Sequence, residues 1–404
     1  MSETTADSLY LEAGTPAYRQ ANLAMFLGGF ATFSLLYGPQ PLLPLFASYF
    51  GVSPAGASLT LSASTAALAF MLIPFSMLSD RFGRGTLMKC SLFGSAFFTL
   101  LLPLAHSLPQ FLFLRVLLGV AIAGLPATAM AWLGEEIAPN ARGRAMGLYI
   151  AGNAFGGMSG RFIIAFITEW SSWQTAFLVS GLIGLTAAML FWRNVPDSRH
   201  FRARPIQISN LIADLGQVLG ERGLQCLFLV SFLLMGAFVA LYNYFGFRLE
   251  SPAYGLTQTT VSAIFLLYAL GTVASAWTGR LVDKIGRGKV LWRTLAIMAC
   301  GLLFTQFHSL WLVVPGVALF TIGFFGSHST ASGWVGERAG SRRALGSAIY
   351  LTAYYLGGSL IGSLAGYAWS WGDWLGVSAA LACCLGLMLW LARRLPRLPN
   401  RQMV

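Results

Sequence analysis

The stretch Ser76-Met-Leu-Ser-Asp-Arg-Phe-Gly-Arg84 returns later in the chain as Gly279-Arg-Leu-Val-Asp-Lys-Ile-Gly-Arg287. Aspartate, a basic residue, glycine and arginine keep their register in both copies, and each copy follows a long apolar run. The Trp132–Glu135 segment is repeated in the same way by Trp334–Glu337. We therefore predict that one unit has been duplicated and that each copy fills about half of the chain.

The composition shows which class of protein is duplicated. Of the 404 residues, 56% are apolar and only 10% are charged. Soluble domains carry about 25% charged residues, so this chain lacks the residues to cover a water-facing surface. Soluble enzymes, DNA-binding domains and disordered proteins are excluded, and a membrane protein that crosses the bilayer many times is predicted.

The apolar runs predict how often the chain crosses. A helix needs about 20 mostly apolar residues to span the hydrocarbon core, and twelve such runs, without the alternation of barrel strands, are present. They lie near 21–45, 56–78, 86–104, 108–133, 144–168, 173–193, 223–247, 257–279, 290–306, 310–334, 343–368 and 374–394. We predict an all-α membrane protein of twelve transmembrane helices in two pseudo-symmetric six-helix bundles.

These runs divide the chain into five parts. The predicted parts are a cytoplasmic N-terminal tail (1–20), a first six-helix bundle (21–193), a cytoplasmic central loop (194–222), a second six-helix bundle (223–394) and a cytoplasmic tail (395–404).

The positive charges orient these helices. With both termini in the cytoplasm, all but three of the 26 Lys and Arg residues fall in inner loops and tails, as the positive-inside rule requires. The exceptions are Arg248 in an outer loop, and Arg115 and Arg161 within spans. The net charge of +12 is therefore typical of a multi-pass protein of the inner (plasma) membrane and does not indicate a nucleic-acid partner.

Several motifs carry a family resemblance. The two loop copies resemble the loop motif of the major facilitator superfamily, and Arg115-Val-Leu-Leu-Gly119 resembles its R-x-x-Q-G motif. Glu136–Gly143 is similar to an inner loop of the drug:proton antiporter branch. Tyr37–Pro44, together with Gly156–Arg161, looks most like YnfM-type inner-membrane transporters. The resemblance implies the major facilitator fold, alternating access, and proton-driven export of a small organic molecule such as a sugar, a siderophore-like metabolite or a drug.

The two loop copies are predicted to act as gates. Gly83 and Gly286 permit tight turns, and the aspartates at the helix ends can pair with the following arginines or face a helix N-terminus. The resemblance implies that these contacts hold one conformation and release in the other. Turn chemistry with inner positive charge is the alternative, but it leaves the repeated aspartate unexplained. The predicted gating residues are Asp80, Arg81, Gly83, Arg84, Asp283, Lys284, Gly286 and Arg287.

A substrate cavity is predicted between the bundles near the midplane of the membrane. The two embedded arginines either bind backbone carbonyls or face the cavity, where they would favour anionic or polyhydroxylated substrates. Some of the aromatic residues have the alternative role of interfacial anchors. The candidate cavity residues are Tyr37, Gln40, Arg115, Asn153, Arg161, Tyr242, Asn243, Tyr268, Tyr354 and Tyr355.

Proton coupling requires a group that titrates. His328 is the one histidine predicted within a span, and histidine changes charge near neutral pH. Glu135 and Glu136, at the inner end of the fourth span, are the other candidates. A packed histidine and a solvated carboxylate pair are the alternatives. No Asp or Glu lies deep within a predicted span, which argues against a pump for cationic drugs.

We therefore predict a secondary active transporter rather than an enzyme. The chain contains no G-x-x-x-x-G-K-[ST], H-E-x-x-H or G-x-S-x-G motif, so ATP-driven pumping and these hydrolytic sites are not expected. Expected partners are a small-molecule substrate, protons and the lipid bilayer, with no cofactor, no metal site and a monomeric chain. Alternatives are uptake of an anionic metabolite through the embedded arginines and, from another class, a non-transporting sensor or embedded enzyme.

Overall fold

The computed structural model describes residues 10–201 and 208–399, and within these ranges the chain is helical without strands. The first half contains α1 (Pro16–Tyr37), α2 (Leu43–Tyr49), α3 (Pro54–Phe82), α4 (Arg84–Leu101), α5 (Leu108–Ile122), α6 (Gly124–Glu136), α7 (Arg142–Trp170) and α8 (Trp173–Asn194). The second half contains α9 (Ile208–Gly220), α10 (Arg222–Glu250), α11 (Gln258–Ser262), α12 (Tyr268–Ile285), α13 (Arg287–Phe304), α14 (Leu310–Arg338) and α15 (Arg343–Arg394).

Ten stretches of the described chain are long and apolar enough to cross a membrane. Short breaks join α1 to α2, α5 to α6 and α11 to α12, so each of these pairs forms a single stretch. Helix α13, with 18 residues, falls outside the ten because its first two turns carry Arg287, Lys289 and Arg293. With α13 included, and with α15 divided at its break near Gly372, the chain has the twelve predicted spans.

Helix α15 is two spans. Its 52 residues would extend about 78 Å if straight, at about 1.5 Å per residue. However, the Arg338 guanidinium, just before α15 begins, lies 3.4 Å from the carbonyl oxygen of Leu395, just after α15 ends. The backbone leaves helical geometry at Gly372 and Asp373. The chain therefore turns back there, inside the short gap predicted between the last two spans.

The structure differs from the prediction at the start of the first span and in the central loop. Helix α1 begins at Pro16 rather than near residue 21, because the Thr15 hydroxyl accepts the Tyr18 N–H at 3.2 Å and caps the helix. The predicted central loop contains the helix α9. Residues 1–9 and 400–404 of the predicted tails, and 202–207 of the central loop, lie outside the described residues.

The duplication is visible in how the helices pack. A Cβ atom on Gly156 of α7 would collide with the carbonyl oxygen of Phe30 in α1, and one on Gly357 of α15 would collide with that of Phe232 in α10. The two contacts occupy nearly equivalent places in the repeat. In membranes, glycine permits this close approach of helix backbones, so the same helix pair is built in each half.

In the part of the chain that the structure describes, the hydrogen bonds between the halves lie towards one end of the molecule. One end, here called the basic end, carries the turns at Gly83 and Gly286. The opposite end, called the closed end, carries the turns at Gly51 and Gly372. The hydrogen bonds between halves that the described residues make run from the closed end to about the middle of the spans. Within the described residues, hydrogen bonds therefore hold the halves together at the closed end and not at the basic end.

The two seams between the halves are unequal. Along α3 and α15, hydroxyl groups bridge the halves at Ser62–Ser363 (2.7 Å) and Thr65–Ser359 (2.6 Å). The symmetry-related seam of α7 and α12 instead contains a cleft of about 300 Å³ whose wall includes Tyr268. One seam is thus hydrogen-bonded down to mid-span, whereas the other leaves space beside Tyr268.

Candidate substrate site and gates

Two amides join the halves at the closed end. Gln40 lies in the 3₁₀ turn Gln40–Leu42 between α1 and α2, and its Nε2 donates to Oδ1 of Asn243 in α10 at 2.8 Å. Asn243 Nδ2 in turn donates to the carbonyl oxygen of Gly362 at 3.4 Å. Both amides are at least 97% buried, so this bridge is shielded from water.

Arg161 extends the bridge into the first half. Its Nε donates to Oε1 of Gln40 at 2.7 Å, and its Nη1 donates to the carbonyl oxygen of Gly157. The residue is 2% exposed, and no carboxylate of residues 10–201 and 208–399 lies within 4 Å of its guanidinium. Its charge is therefore buried with neutral partners.

Three aromatic rings surround the Arg161 guanidinium. Its Cζ lies 4.3 Å from the ring centroid of Tyr37, 4.8 Å from that of Phe265 and 5.1 Å from that of Tyr268. Cation–π attraction of this kind is worth about 2 kcal/mol when the pair is shielded from water. Because Phe265 and Tyr268 belong to the second half, this aromatic cage, formed by Tyr37, Phe265 and Tyr268, also depends on closure of this end.

The aromatic surface continues from the cage towards α14. Tyr242 stacks on Phe265 at 5.2 Å, and its hydroxyl lies 2.7 Å from the Thr321 hydroxyl. A second row runs from Tyr268 through Phe238, which stacks on Phe324 at 3.7 Å. A flat or apolar molecule would therefore find a continuous aromatic wall here.

This wall ends at His328, the predicted proton-coupling residue. Its Nδ1 lies 3.1 Å from the Tyr350 hydroxyl, and its ring lies 4.7 Å from that of Tyr354. Tyr355 packs edge-on against Tyr354 at 5.3 Å and is 96% buried. His328 thus belongs to the second half and shares the aromatic wall with the cage.

Arg115 does not join this group. It is fully buried and donates three hydrogen bonds to the carbonyl oxygens of Thr60, Leu35 and Leu36. The Leu35 carbonyl is free because Pro39, four residues later, has no N–H to donate. This geometry fits the carbonyl-binding alternative for Arg115, not the cavity role.

Asn153 also lies away from the cage. Its side chain packs directly on Gly29 of α1, where an added Cβ would meet Asn153 Oδ1. It therefore contributes to the contact between α1 and α7. Of the predicted cavity residues, the structure brings together Tyr37, Gln40, Arg161, Tyr242, Asn243 and Tyr268, with Tyr354 and Tyr355 beside His328.

The first loop copy forms an ion pair at the basic end. Arg84 donates two hydrogen bonds of 2.7 Å to the Glu135 carboxylate and lies 3.3 Å from Asp80. Gly83 has φ +91° and Gly286 has φ +84°, which confirms that both turns need glycine. Glu135, predicted as a coupling candidate, is thus held by Arg84 within its own half.

The second copy differs in its aspartate. Arg287 pairs with Glu337 at 2.6 Å and not with Asp283, which is exposed and has no ion pair within the described chain. Arg81 lies 5.5 Å from the neighbouring Phe82 ring, and Lys284 is exposed. No hydrogen bond or ion pair of the described residues joins either loop to the other half.

Glu136 anchors two connecting segments. It is 2% exposed and accepts the backbone N–H groups of Arg199 and His200 at 3.0 and 3.1 Å. Its own carbonyl accepts the N–H of Leu11 at 2.8 Å. The equivalent position in the repeat is Arg338, which pairs with Glu221 at 2.8 Å. These positions fasten the tails and the central segment rather than face the cage.

Four aromatic residues of the site were missed by sequence reasoning: Phe238, Phe265, Phe324 and Tyr350. Each lies three or four residues before a predicted residue, namely Tyr242, Tyr268, His328 and Tyr354. Residues at this spacing share one face of a helix, so extending each candidate by one turn would have found them. No group of three or more metal-binding side chains occurs in the part of the chain that the structure describes.

Comparison with known proteins places this geometry in context. The sequence model of the Major Facilitator Superfamily matches residues 25–361 and 250–402. The chain is 42% identical over 388 residues to the uncharacterized MFS-type transporter YybF of Bacillus subtilis, covering 96% of both chains. It is 41% identical over 388 residues to the inner membrane transport protein YnfM of Escherichia coli, covering 96% of this chain and 93% of YnfM.

Solved structures show the same fold. An inward-facing, unoccupied bacterial homologue of the human lysosomal transporter Spinster superposes with a TM-score of 0.78 at 16% identity, covering 95% of this chain and 99% of that one. At this identity the similarity concerns the fold alone.

Proposed function

Because the chain belongs to the major facilitator superfamily, whose members are membrane transporters and not enzymes, we propose that it carries a small organic anion out of the cell by alternating access. The observation that carries this proposal is Arg161, a buried cation surrounded by neutral partners. In this proposal the protein works as a single chain in the plasma membrane, with both termini in the cytoplasm.

The charge of Arg161 supports an anionic substrate. A buried charge is costly unless it is paired, and here amide, carbonyl and ring contacts compensate it only in part. A carboxylate, sulfonate or phosphate group would add the missing negative charge and bind the planar guanidinium through two hydrogen bonds. In this proposal the anion reaches the guanidinium from the basic end and takes the place of the Tyr268 ring beside it.

The aromatic wall supports a substrate with a flat or apolar body. Phe238, Phe324 and Tyr354 extend from the cage to His328. The wall of the cleft of about 300 Å³ in the α7–α12 seam includes Tyr268, whose ring also contacts Arg161. An aromatic acid would therefore place its charge at Arg161 and its ring against this wall.

Charge and the predicted orientation support export. In this proposal the basic end, where no hydrogen bond of the described residues joins the halves, lies in the cytoplasm, and the hydrogen-bonded closed end faces the outside. The inside-negative potential of a plasma membrane moves an anion outward, with about 2.3 kcal/mol per charge at 100 mV. When a monovalent anion has the same concentration on both sides of the membrane, the potential alone therefore drives its export. Uptake of the same anion would require a second energy source.

The experiment is a ligand panel on the purified protein. Binding is measured as a rise in the unfolding temperature of the protein. The compounds compared are aromatic and aliphatic carboxylates and sulfonates, their neutral amides, and organic cations. We expect aromatic anions alone to stabilise the protein, and Arg161→Gln to abolish the rise. Arg248→Gln is the matched control, because Arg248 is also buried among carbonyls and rings but lies outside the cage. Equal stabilisation by the amides contradicts the proposal.

A second candidate is proton exchange during export, which the His328–Tyr350 contact favours. His328 is half-buried against aromatic rings with a hydroxyl as hydrogen-bond partner, and a histidine there can take and release a proton as each end opens. This matches the antiport expected from the family resemblance.

Inverted membrane vesicles test the coupling. If protons are exchanged, adding the stabilising anion discharges an acid-inside gradient, and His328→Gln, which keeps a hydrogen-bonding side chain, abolishes the discharge while anion binding persists. If the discharge is the same in His328→Gln, this residue does not carry the proton.

A further inference from the structure

A second cleft lies at the basic end, between the first turns of α1 and α7. Its volume is about 620 Å³, which is within the range of small-molecule sites. Arg19 of α1 and Arg144 of α7 both line it. Each arginine stands in the first turns of its helix, where the helix dipole adds positive potential.

This positive charge has no counterpart in the described chain. Neither α1 nor α7 has an acidic residue in its first turn. Within residues 10–201 and 208–399, no carboxylate lies within 4 Å of the guanidinium of Arg19 or Arg144. The wall of the cleft contains no Asp or Glu. The cleft is therefore complementary to an anion.

A buried polar group in the wall points to a ligand as well. Asn22 is 93% buried, lines the cleft, and its Oδ1 has no hydrogen-bond partner in the described structure. A buried acceptor without a partner costs about 1–3 kcal/mol. The missing partner would be a donor such as a hydroxyl group, so the ligand needs both a negative charge and a hydroxyl.

The position of the cleft identifies where such a ligand comes from. One turn beyond Arg19, the rim of the cleft is formed by the apolar side chains of Leu23 and Leu148, which are 47% and 40% exposed. The apolar segment of the first span begins at this point. The cleft thus opens sideways at the level where headgroups meet acyl chains.

We infer that this cleft binds the headgroup of an anionic phospholipid that carries free hydroxyls, of the phosphatidylglycerol type. Arg19 and Arg144 hold the phosphate, the Asn22 Oδ1 accepts a hydroxyl, and Leu23 and Leu148 contact the acyl chains. Basic pockets between spans at the cytoplasmic side are suited to anionic headgroups. This site is independent of which molecule the protein transports.

The test measures binding of short-chain lipids to the full-length protein in detergent. We expect dihexanoyl phosphatidylglycerol to bind about thirtyfold more tightly than dihexanoyl phosphatidylcholine, the contribution of two arginines to an anionic headgroup. Arg19→Gln with Arg144→Gln should reduce the difference to twofold or less. Arg193→Gln is the control, because Arg193 is exposed at the same end outside the cleft.

Two further arms test the chemistry of the headgroup. Phosphatidic acid has the phosphate without the headgroup hydroxyls, so Asn22→Leu should remove the preference for phosphatidylglycerol over phosphatidic acid and leave binding of the latter intact. Glycerol phosphate tests a soluble source. Binding of glycerol phosphate as tight as that of the lipid, or a lipid preference unchanged by the double arginine substitution, overturns the inference.

Discussion

The side-chain amides of Gln40 and Asn243 meet at 2.8 Å, and the two residues are 203 positions apart, the same separation as Asp80 and Asp283 in the repeated loops. They are therefore equivalent residues of the two halves that bind each other across the pseudo-twofold axis. Such a contact exists only while this end of the molecule is closed.

Removing this contact should shift the conformational equilibrium. Asn243→Leu leaves the buried Gln40 Nε2 without its partner, which costs about 1–3 kcal/mol. We expect the population open at this end to rise about fivefold for each kcal/mol. Distances between spin labels on His106 and His308, which are exposed at the closed end in different halves, measure that population.

The exchanged pair is the control for this prediction. Gln40→Asn with Asn243→Gln keeps an amide on each side of the axis, so the distance distribution should return towards that of the native protein. A distribution that Asn243→Leu leaves unchanged contradicts the role assigned to the bridge.

The Arg84–Glu135 ion pair should affect transport more than stability. Arg84 is 15% and Glu135 39% exposed as side chains, and pairs this accessible contribute about 1 kcal/mol or less to stability. We expect Glu135→Ala to slow transport severalfold with little change in unfolding temperature, and Arg84→Glu with Glu135→Arg to recover part of the rate. The same substitutions at Arg287 and Glu337 are the matched comparison. A loss of rate that merely follows a loss of folded protein contradicts a gating role.

A disulfide across the α3–α15 seam should stop transport. The hydroxyls of Ser62 and Ser363 are 2.7 Å apart, so cysteines at these positions lie within bonding reach. In a variant lacking the native cysteines, we expect oxidation of Ser62→Cys with Ser363→Cys to block transport and reduction to restore it. Thr294→Cys with Ser327→Cys is the control within one half, since those hydroxyls are 2.8 Å apart. Full transport by the oxidised seam variant shows that the seam does not separate.

The Arg338–Glu221 pair should stabilise the fold itself. Their side chains are 3% and 6% exposed, and removing one partner of a buried pair costs about 3–5 kcal/mol. We expect Arg338→Gln to lower the free energy of unfolding by this amount. Arg338→Met with Glu221→Met, which removes both charges, should recover much of the loss, as measured by thermal unfolding in detergent. A single substitution that leaves stability unchanged contradicts the burial of the pair.

Much of the fold was predictable because each membrane-spanning helix requires an apolar run of about 20 residues, which can be recognised in the sequence. The repeated loops gave the two halves, and the glycines of those loops required positive φ. The break after α1 was overlooked, although Pro39 and Pro41 mark it. Neither the charges of the central segment nor its lack of long apolar runs indicates the helix α9.

The sequence indicates which residues are candidates for the site, but it does not indicate which groups each of them contacts. Arg115 and Arg161 look alike in the sequence, since each is a lone cation in a span. They differ because Arg115 faces the carbonyl that Pro39 leaves free, whereas Arg161 faces rings of the other half. The Gln40–Asn243 contact depends on the pseudo-twofold axis, which no local pattern encodes.

The central claim is that Arg161 makes this protein a carrier of organic anions. The most direct test compares the transport of a charged compound with that of its neutral analogue under a membrane potential. Vesicles containing the purified protein are loaded with the aromatic sulfonate that stabilises it most, or with the corresponding sulfonamide, and a potassium diffusion potential of either sign is imposed. We expect sulfonate flux that reverses with the sign of the potential, and no flux of the sulfonamide or by Arg161→Gln. Equal flux of both compounds, independent of potential and of Arg161, would contradict the claim.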